Sequence, residues 1–198
     1  MVRPAIINEK KKPSKKRKGN PGGKFQNEIK FGIEYAKGFG MRIPDKMNVG
    51  PNGQMIRMKG STTPADFFYT NKKGVYLIES KTVKLRPTKT KGYTGSLDFS
   101  GRVDGHQKDA LLEMSAVSGD FHWGYLAVKL WNGESKKVDK IHECYLLNII
   151  EACGIIEETG LKSINQERIR SAGIRVPWVP SSSKNDTKAH WDIGGVLD

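Results

Sequence analysis

The chain has 198 residues, with 34 basic and 21 acidic side chains for a net charge of +13, and 36% of its residues are apolar. That suits one domain with one modest core. No run approaches the ~18 apolar residues of a membrane span and no apolar signal core opens the chain, so a cytoplasmic protein without membrane contact is expected. Cys144 and Cys153 make no disulfide framework, and His106, His122, His142 and His190 are scattered without zinc spacing. Nothing points to a small-molecule cofactor. The positive charge favours a polyanionic partner, foremost nucleic acid.

Residues 1–24 carry nine Lys or Arg against one Glu. "EKKKPSKKRKGNPGGK" cannot bury a core and reads as a disordered basic arm over 1–22, with Lys15, Lys16, Arg17 and Lys18 available to phosphates. A single folded domain is expected over 23–198. "KFQNEIKFGIEYAKGFG" predicts a helix packed through Phe25, Ile29, Gly32, Ile33 and Ala36, with Asn27, Glu28 and Lys30 elsewhere on its circumference. Gly38 or Gly40 is its expected stop. Residues 41–60 read as a strand and an irregular excursion.

"ADFFYTNKKGVYLIESK" (65–81) reads as a hairpin turning in "NKKG". If Thr70 faces Val75, then Asp66 stands opposite Glu79, and Lys81 shares the face of Glu79. Phe67, Tyr69, Ile78 and Ser80 fall on the other side. Two carboxylates that close repel unless a cation lies between them. Lys81 offers one charge, and Mg²⁺ or Mn²⁺ would offer more through hard oxygen ligands. A solvated salt-bridge trio is the alternative that spacing alone leaves open.

Further along, "KLRPTKTKGYTGSLDFSGR" is a basic loop, and "HQKDALLEMSAV" predicts a helix capped by Asp104 and buried through Ala110, Leu111, Met114 and Val117. "FHWGYLAVKLW" predicts a buried strand. "HECYLLNIIEACG" leans towards helix. Residues 163–176 suggest a short helix and a turn, and "SSSKNDTKAH" a polar loop.

"PAD" at 64–66 followed by "ESK" at 79–81 resembles the bipartite signature of the PD-(D/E)XK nucleases. "STTPADFFYTNKKGVYLIESKTV", with "GGKFQNEI" before it and "GHQKDALL" and "GYLAVKL" after it, is similar to the core of RecU-type Holliday junction resolvases. The resemblance spans roughly 22–130 and, more loosely, "IRSAGIRVPW". It implies an α/β, restriction-endonuclease-like core, with a mixed central β-sheet flanked by helices. It also implies a Mg²⁺- or Mn²⁺-dependent endonuclease, usually a homodimer, that nicks symmetric strands of a four-way DNA junction in the cytoplasm (the host's, for a phage-encoded enzyme). Asp66 and Glu79 would ligate the metal together with the Ser80 main-chain carbonyl. Lys81 would serve the water and the transition state, and Gln107 would sit at the edge of the site.

One position departs from the family. Its first helix usually carries a Glu immediately after the large apolar residue, where this chain has Gln26. Glu28 lies two positions on, roughly 200° round a helix, and is retained as a candidate metal ligand. The excursion at 41–60 is also shorter than the long stalk of the bacterial enzymes. DNA contacts are expected from Lys84, Arg86, Lys89 and Lys91 and from the arm. A duplex-cutting restriction or repair nuclease of the same fold, or a non-catalytic basic DNA- or RNA-binding protein, are the alternatives.

Overall fold

The computed structural model describes residues 20–44, 47–49, 55–57, 63–90, 92–103, 105–116, 122–133, 140–183 and 187–198. The basic arm with Lys15, Lys16, Arg17 and Lys18, the expected cap Asp104, Val117 and Lys91 lie outside the described residues.

Helix α1 (Pro21–Glu34) starts where Asn20 accepts the Gly22 N–H at 3.2 Å and Pro21 presets the first helical φ. It buries Phe25, Glu28, Ile29, Gly32 and Ile33. Strand β1 (Phe39–Arg42) follows, then a small hairpin, β2 (Met47–Val49) with β3 (Met55–Arg57). The expected hairpin becomes β4 (Phe67–Thr70) and β5 (Val75–Lys84). Their turn is held by Asn71, whose side-chain oxygen accepts the Lys73 and Gly74 N–H groups at 2.9 and 3.1 Å.

The basic loop contains β6 (Arg86–Pro87), β7 (Tyr93–Thr94) and β8 (Ser96–Asp98) before helix α2 (Gly105–Ala116). Of the described residues expected to be buried in α2, Leu111 is fully so, and Ala110 and Met114 are half-buried. Strand β9 (His122–Trp131) is the apolar strand that the sequence predicts.

"HECYLLNIIEACG" splits, which corrects the helical reading. It forms β10 (His142–Asn148) and then α3 (Ile149–Thr159). Asn148 is the reason for the break. Its side chain accepts the Ile150 N–H at 2.8 Å and caps a helix that Gly160, at φ 64°, ends. The rest comprises β11 (Ser163–Asn165), α4 (Gln166–Ala172), β12 (Ile174–Val176), β13 (Trp178–Val179), β14 (His190–Trp191) and α5 (Ile193–Leu197).

The central sheet has the order β1-β4-β5-β9-β10-β12, and it is mixed: β5 and β9 run parallel while every other neighbouring pair is antiparallel. Alternation along its strands feeds two cores. Phe67, Tyr69, Tyr76, Ile78, Ala127 and Cys144 pack against Phe25, Ile29 and Ile33 of α1. Val83, Leu126, Val128 and Leu130 pack with Leu111 of α2 and Ile149 and Ala152 of α3. The fold is therefore α/β, with helices on both faces of a mixed sheet. Close approach depends on two glycines. A Cβ at Gly32 would overlap the Trp191 carbonyl oxygen, and one at Gly124 the Leu111 carbonyl oxygen. Among the described residues, no helix is long and apolar enough to cross a membrane.

Candidate active site

The register of the ribbon is the expected one: Thr70 pairs with Val75 and Phe67 with Ile78. Asp66 precedes β4, and Glu79–Lys84 continue β5 beyond its last β4 partner while β9 stays paired along the other side. The sheet opens at this point, and the charged groups gather there.

Glu79 is only 3% exposed. Its Oε1 accepts from Lys81 Nζ at 2.8 Å, and its Oε2 is buried with no hydrogen-bond partner. Lys81 Nζ also donates to Gln107 Oε1 at 3.0 Å, so the first turn of α2 fixes the ammonium from the opposite layer. Burial pushes the Glu79 carboxyl up to about 7, the Asp66 charge pushes the same way, and Lys81, with a smaller contribution from the Gln107 side chain, partly offsets both.

Asp66 is held from the α1 side. Ser80 donates to its Oδ2 through the main-chain N–H, at 3.0 Å, and through the hydroxyl. Gln26 Nε2 donates to its Oδ1 at 2.9 Å, and Arg42 Nη2 in turn donates to Gln26 Oε1 at 3.0 Å. Sequence reasoning left the role of Gln26 open and did not single out Arg42. The signal for Gln26 was its place after Phe25, one residue from the buried stripe. Arg42 had no local signal, because β1 pairing alone brings it to α1.

Glu28 is not gathered into this group. Its Oε2 accepts from Lys129 Nζ at 2.6 Å and from Trp191 Nε1 at 3.1 Å. That corrects its expected place off the buried stripe of α1, and the candidate ligand Glu28 is not brought to Asp66 and Glu79. A carboxylate facing a buried lysine on β9 and an indole N–H is drawn inward and used up there.

Lys84, Arg86 and Lys89 are exposed, and Lys84 Nζ lies 5.6 Å from the Trp131 ring centroid. Cys144 is buried in the α1-side core, where desolvation pushes its thiol up and keeps it inert.

No cluster of three or more His, Cys, Asp or Glu side chains suited to a metal occurs among the described residues. The donor set here is two carboxylates, Asp66 and Glu79, with neutral oxygens nearby. Such a set fits a hard divalent cation that keeps several waters, and the unpartnered Glu79 Oε2 is the atom such a cation would satisfy. No protein-family model matches this chain, and no curated protein matches it.

Proposed function

We propose that this protein is a metal-dependent endonuclease with a PD-(D/E)XK core, acting on four-way DNA junctions. One observation carries the reading: a buried, unpartnered carboxylate oxygen on Glu79 lies beside Asp66, with Lys81 ion-paired to the same carboxylate, where the sheet opens. A structural ion pair has no reason to bury such an oxygen without a donor.

Asp66 and Glu79 would hold Mg²⁺ or Mn²⁺, with the Ser80 main-chain carbonyl as a further oxygen donor. The cation would polarise a phosphodiester and acidify a bound water. The chain's own groups prepare that chemistry. Gln26 and Ser80 fix the Asp66 carboxylate, so it needs no reorientation. Gln107 holds the Lys81 ammonium beside Glu79, where it can orient a water or stabilise negative charge developing on the phosphate.

The net charge of +13 supplies the long-range attraction to DNA. Lys84, Arg86 and Lys89 follow directly on the strand that bears Glu79 and Lys81 and would contact backbone phosphates without reading sequence. A two-fold dimer would present two such sites to the opposed strands of a junction. Sedimentation showing only monomer under conditions that support paired nicks would overturn that arrangement.

The deciding experiment incubates the protein with labelled four-way junction and with linear duplex, in Mg²⁺, Mn²⁺ or EDTA. Paired symmetric nicks on the junction alone are expected. Equal cutting of linear duplex would transfer the reading to a duplex endonuclease of the same fold. Binding without metal-dependent cleavage in either cation would overturn the enzymatic reading.

A further inference from the structure

The hydrogen bonds already made by Asp66 and Glu79 limit how many cations these carboxylates can share. An ionised carboxylate accepts at about four positions, two on each oxygen. Both positions on Asp66 Oδ2 are filled by Ser80, one by its main-chain N–H at 3.0 Å and one by its hydroxyl. Gln26 Nε2, at 2.9 Å, fills one position on Oδ1. Asp66 is left with one side of one oxygen. Glu79 keeps its buried Oε2, while its Oε1 faces Lys81 at 2.8 Å.

Gln26 is locked in this role from behind. Strand β1 is zipped to β4 as far as the site: Arg42 pairs with Phe67, and the Ile43 N–H donates to the Asp66 carbonyl at 2.8 Å. That register delivers Arg42 Nη2 to Gln26 Oε1 at 3.0 Å. A guanidinium only donates and an ionised carboxylate only accepts, so the amide between them can face one way. Its oxygen turns to Arg42 and its N–H to Asp66. An N–H aimed at Asp66 presents positive charge where a neighbouring cation would otherwise sit.

No further acidic group compensates. Among the described residues no third His, Cys, Asp or Glu side chain joins Asp66 and Glu79 in a metal-binding group. Glu28, on the same helix as Gln26, is held by Lys129 and Trp191. Paired cations about 3.5–4 Å apart depend on ligands shared between them, and Asp66 has one acceptor position to give.

We infer that this site takes a single divalent cation, shared by Asp66 and Glu79, and that Gln26, oriented by Arg42, is the positioning residue that excludes a second. The inference rests on the endonuclease reading for its cation and adds the number of ions and what sets it. One divalent cation balances the two carboxylates, and the Lys81 ammonium is the further positive charge of the site. Lys81, fixed by Gln107 at 3.0 Å, takes the charge-stabilising part that a second cation plays in two-metal sites.

The test counts Mn²⁺ on the full chain without DNA, by equilibrium titration and electron paramagnetic resonance, at pH 8, where the Glu79 carboxyl is ionised. The wild type should bind one Mn²⁺ per chain, with the spectrum of a magnetically isolated ion, and Glu79→Gln should remove it. Gln26→Glu should bind two, with coupled spins. A Glu at 26 turns an oxygen towards Asp66, and facing carboxylates call for a cation between them. Gln26 is half-buried and Arg42 can pair with a Glu there, so the helix is retained.

Two Glu79-dependent ions on the wild type, or none, overturn the inference. A folded Gln26→Glu chain that still binds one overturns the part given to Gln26. Should that variant not fold, the wild-type count decides. The nicking assay keeps the two claims apart. One Glu79-dependent ion without cutting of junction or duplex sinks the endonuclease alone, and two ions with metal-dependent paired nicks sink the single-cation inference alone.

Discussion

Two buried carboxylate–lysine pairs sit on this sheet, and they differ in what surrounds them. Glu28 and Lys129 join α1 to β9 at 2.6 Å, and the same Glu28 oxygen takes the Trp191 indole N–H. Lys129 also lies 5.5 and 5.9 Å from the Phe25 and Trp191 ring centroids. Glu79 and Lys81 make a bond of similar length, 2.8 Å, but the other Glu79 oxygen is buried without a donor and a second carboxylate lies nearby. The first pair is closed and ties two layers together. The second is incomplete and fits a cation. Burial of charge is common to both, so it does not mark function. What sets the second pair apart is its unsatisfied oxygen.

Mutations should separate the pairs by sign as well as size. Glu28→Ala leaves the Lys129 ammonium buried and unpaired and should cost roughly 3–5 kcal/mol, read from the urea midpoint at constant m. A loss below about 1 kcal/mol would show that α1 and β9 do not depend on that pair. Glu79→Gln should do the reverse and stabilise the protein in the absence of divalent cations.

The pH dependence follows from the raised Glu79 carboxyl. Below about pH 4.5 the group is neutral in both the folded and unfolded chain and costs nothing. As pH rises towards about 7, the unfolded chain releases the proton while the folded one retains it, so wild-type stability falls. Above that range the loss is constant. The gain from Glu79→Gln should therefore grow between those limits to on the order of 2–3 kcal/mol and then level off, as thermal melts at pH 4, 6 and 8 would show.

Mg²⁺ should raise the melting temperature of the wild type at pH 8 and leave Glu79→Gln unchanged, because a ligand stabilises only the form that binds it. Equal response in both would place the cation elsewhere. Gln26→Ala should lower junction cleavage by about tenfold, with stability within about 1.5 kcal/mol of wild type, since it removes one hydrogen bond that positions Asp66. The exposed Lys30–Glu34 pair, 3.3 Å apart on α1, sets the lower end of the scale. Lys30→Ala should change stability by no more than about 0.5 kcal/mol.

Local pattern was enough wherever a residue's environment is set by its immediate neighbours. The ribbon register, the strand at β9 and the apolar stripe of α1 were all legible because period-2 and period-3.6 alternation record which face is buried. Glu79, Lys81 and Gln107 were legible as candidates, and the structure brings them into contact. The split at Asn148 was missed because Cys144–Leu147 are buried as a continuous apolar run, a pattern that a buried helix shares with a strand. The cap at Asn148 decides it, and an Asn inside an apolar stretch is a weak signal without the bond it makes.

By itself the sequence determined the charge of +13, the hairpin and the set of groups that ride on it, because these depend on composition and on spacing along one strand. Tertiary structure alone decided between Gln26 and Glu28 of the first helix. Gln26 reaches Asp66 because β1 returns Arg42 beside it, and Glu28 turns inward because Lys129 and Trp191, 101 and 163 residues away, arrive beneath it. Partners so distant in the chain leave no periodic trace in the sequence, and only packing selects them.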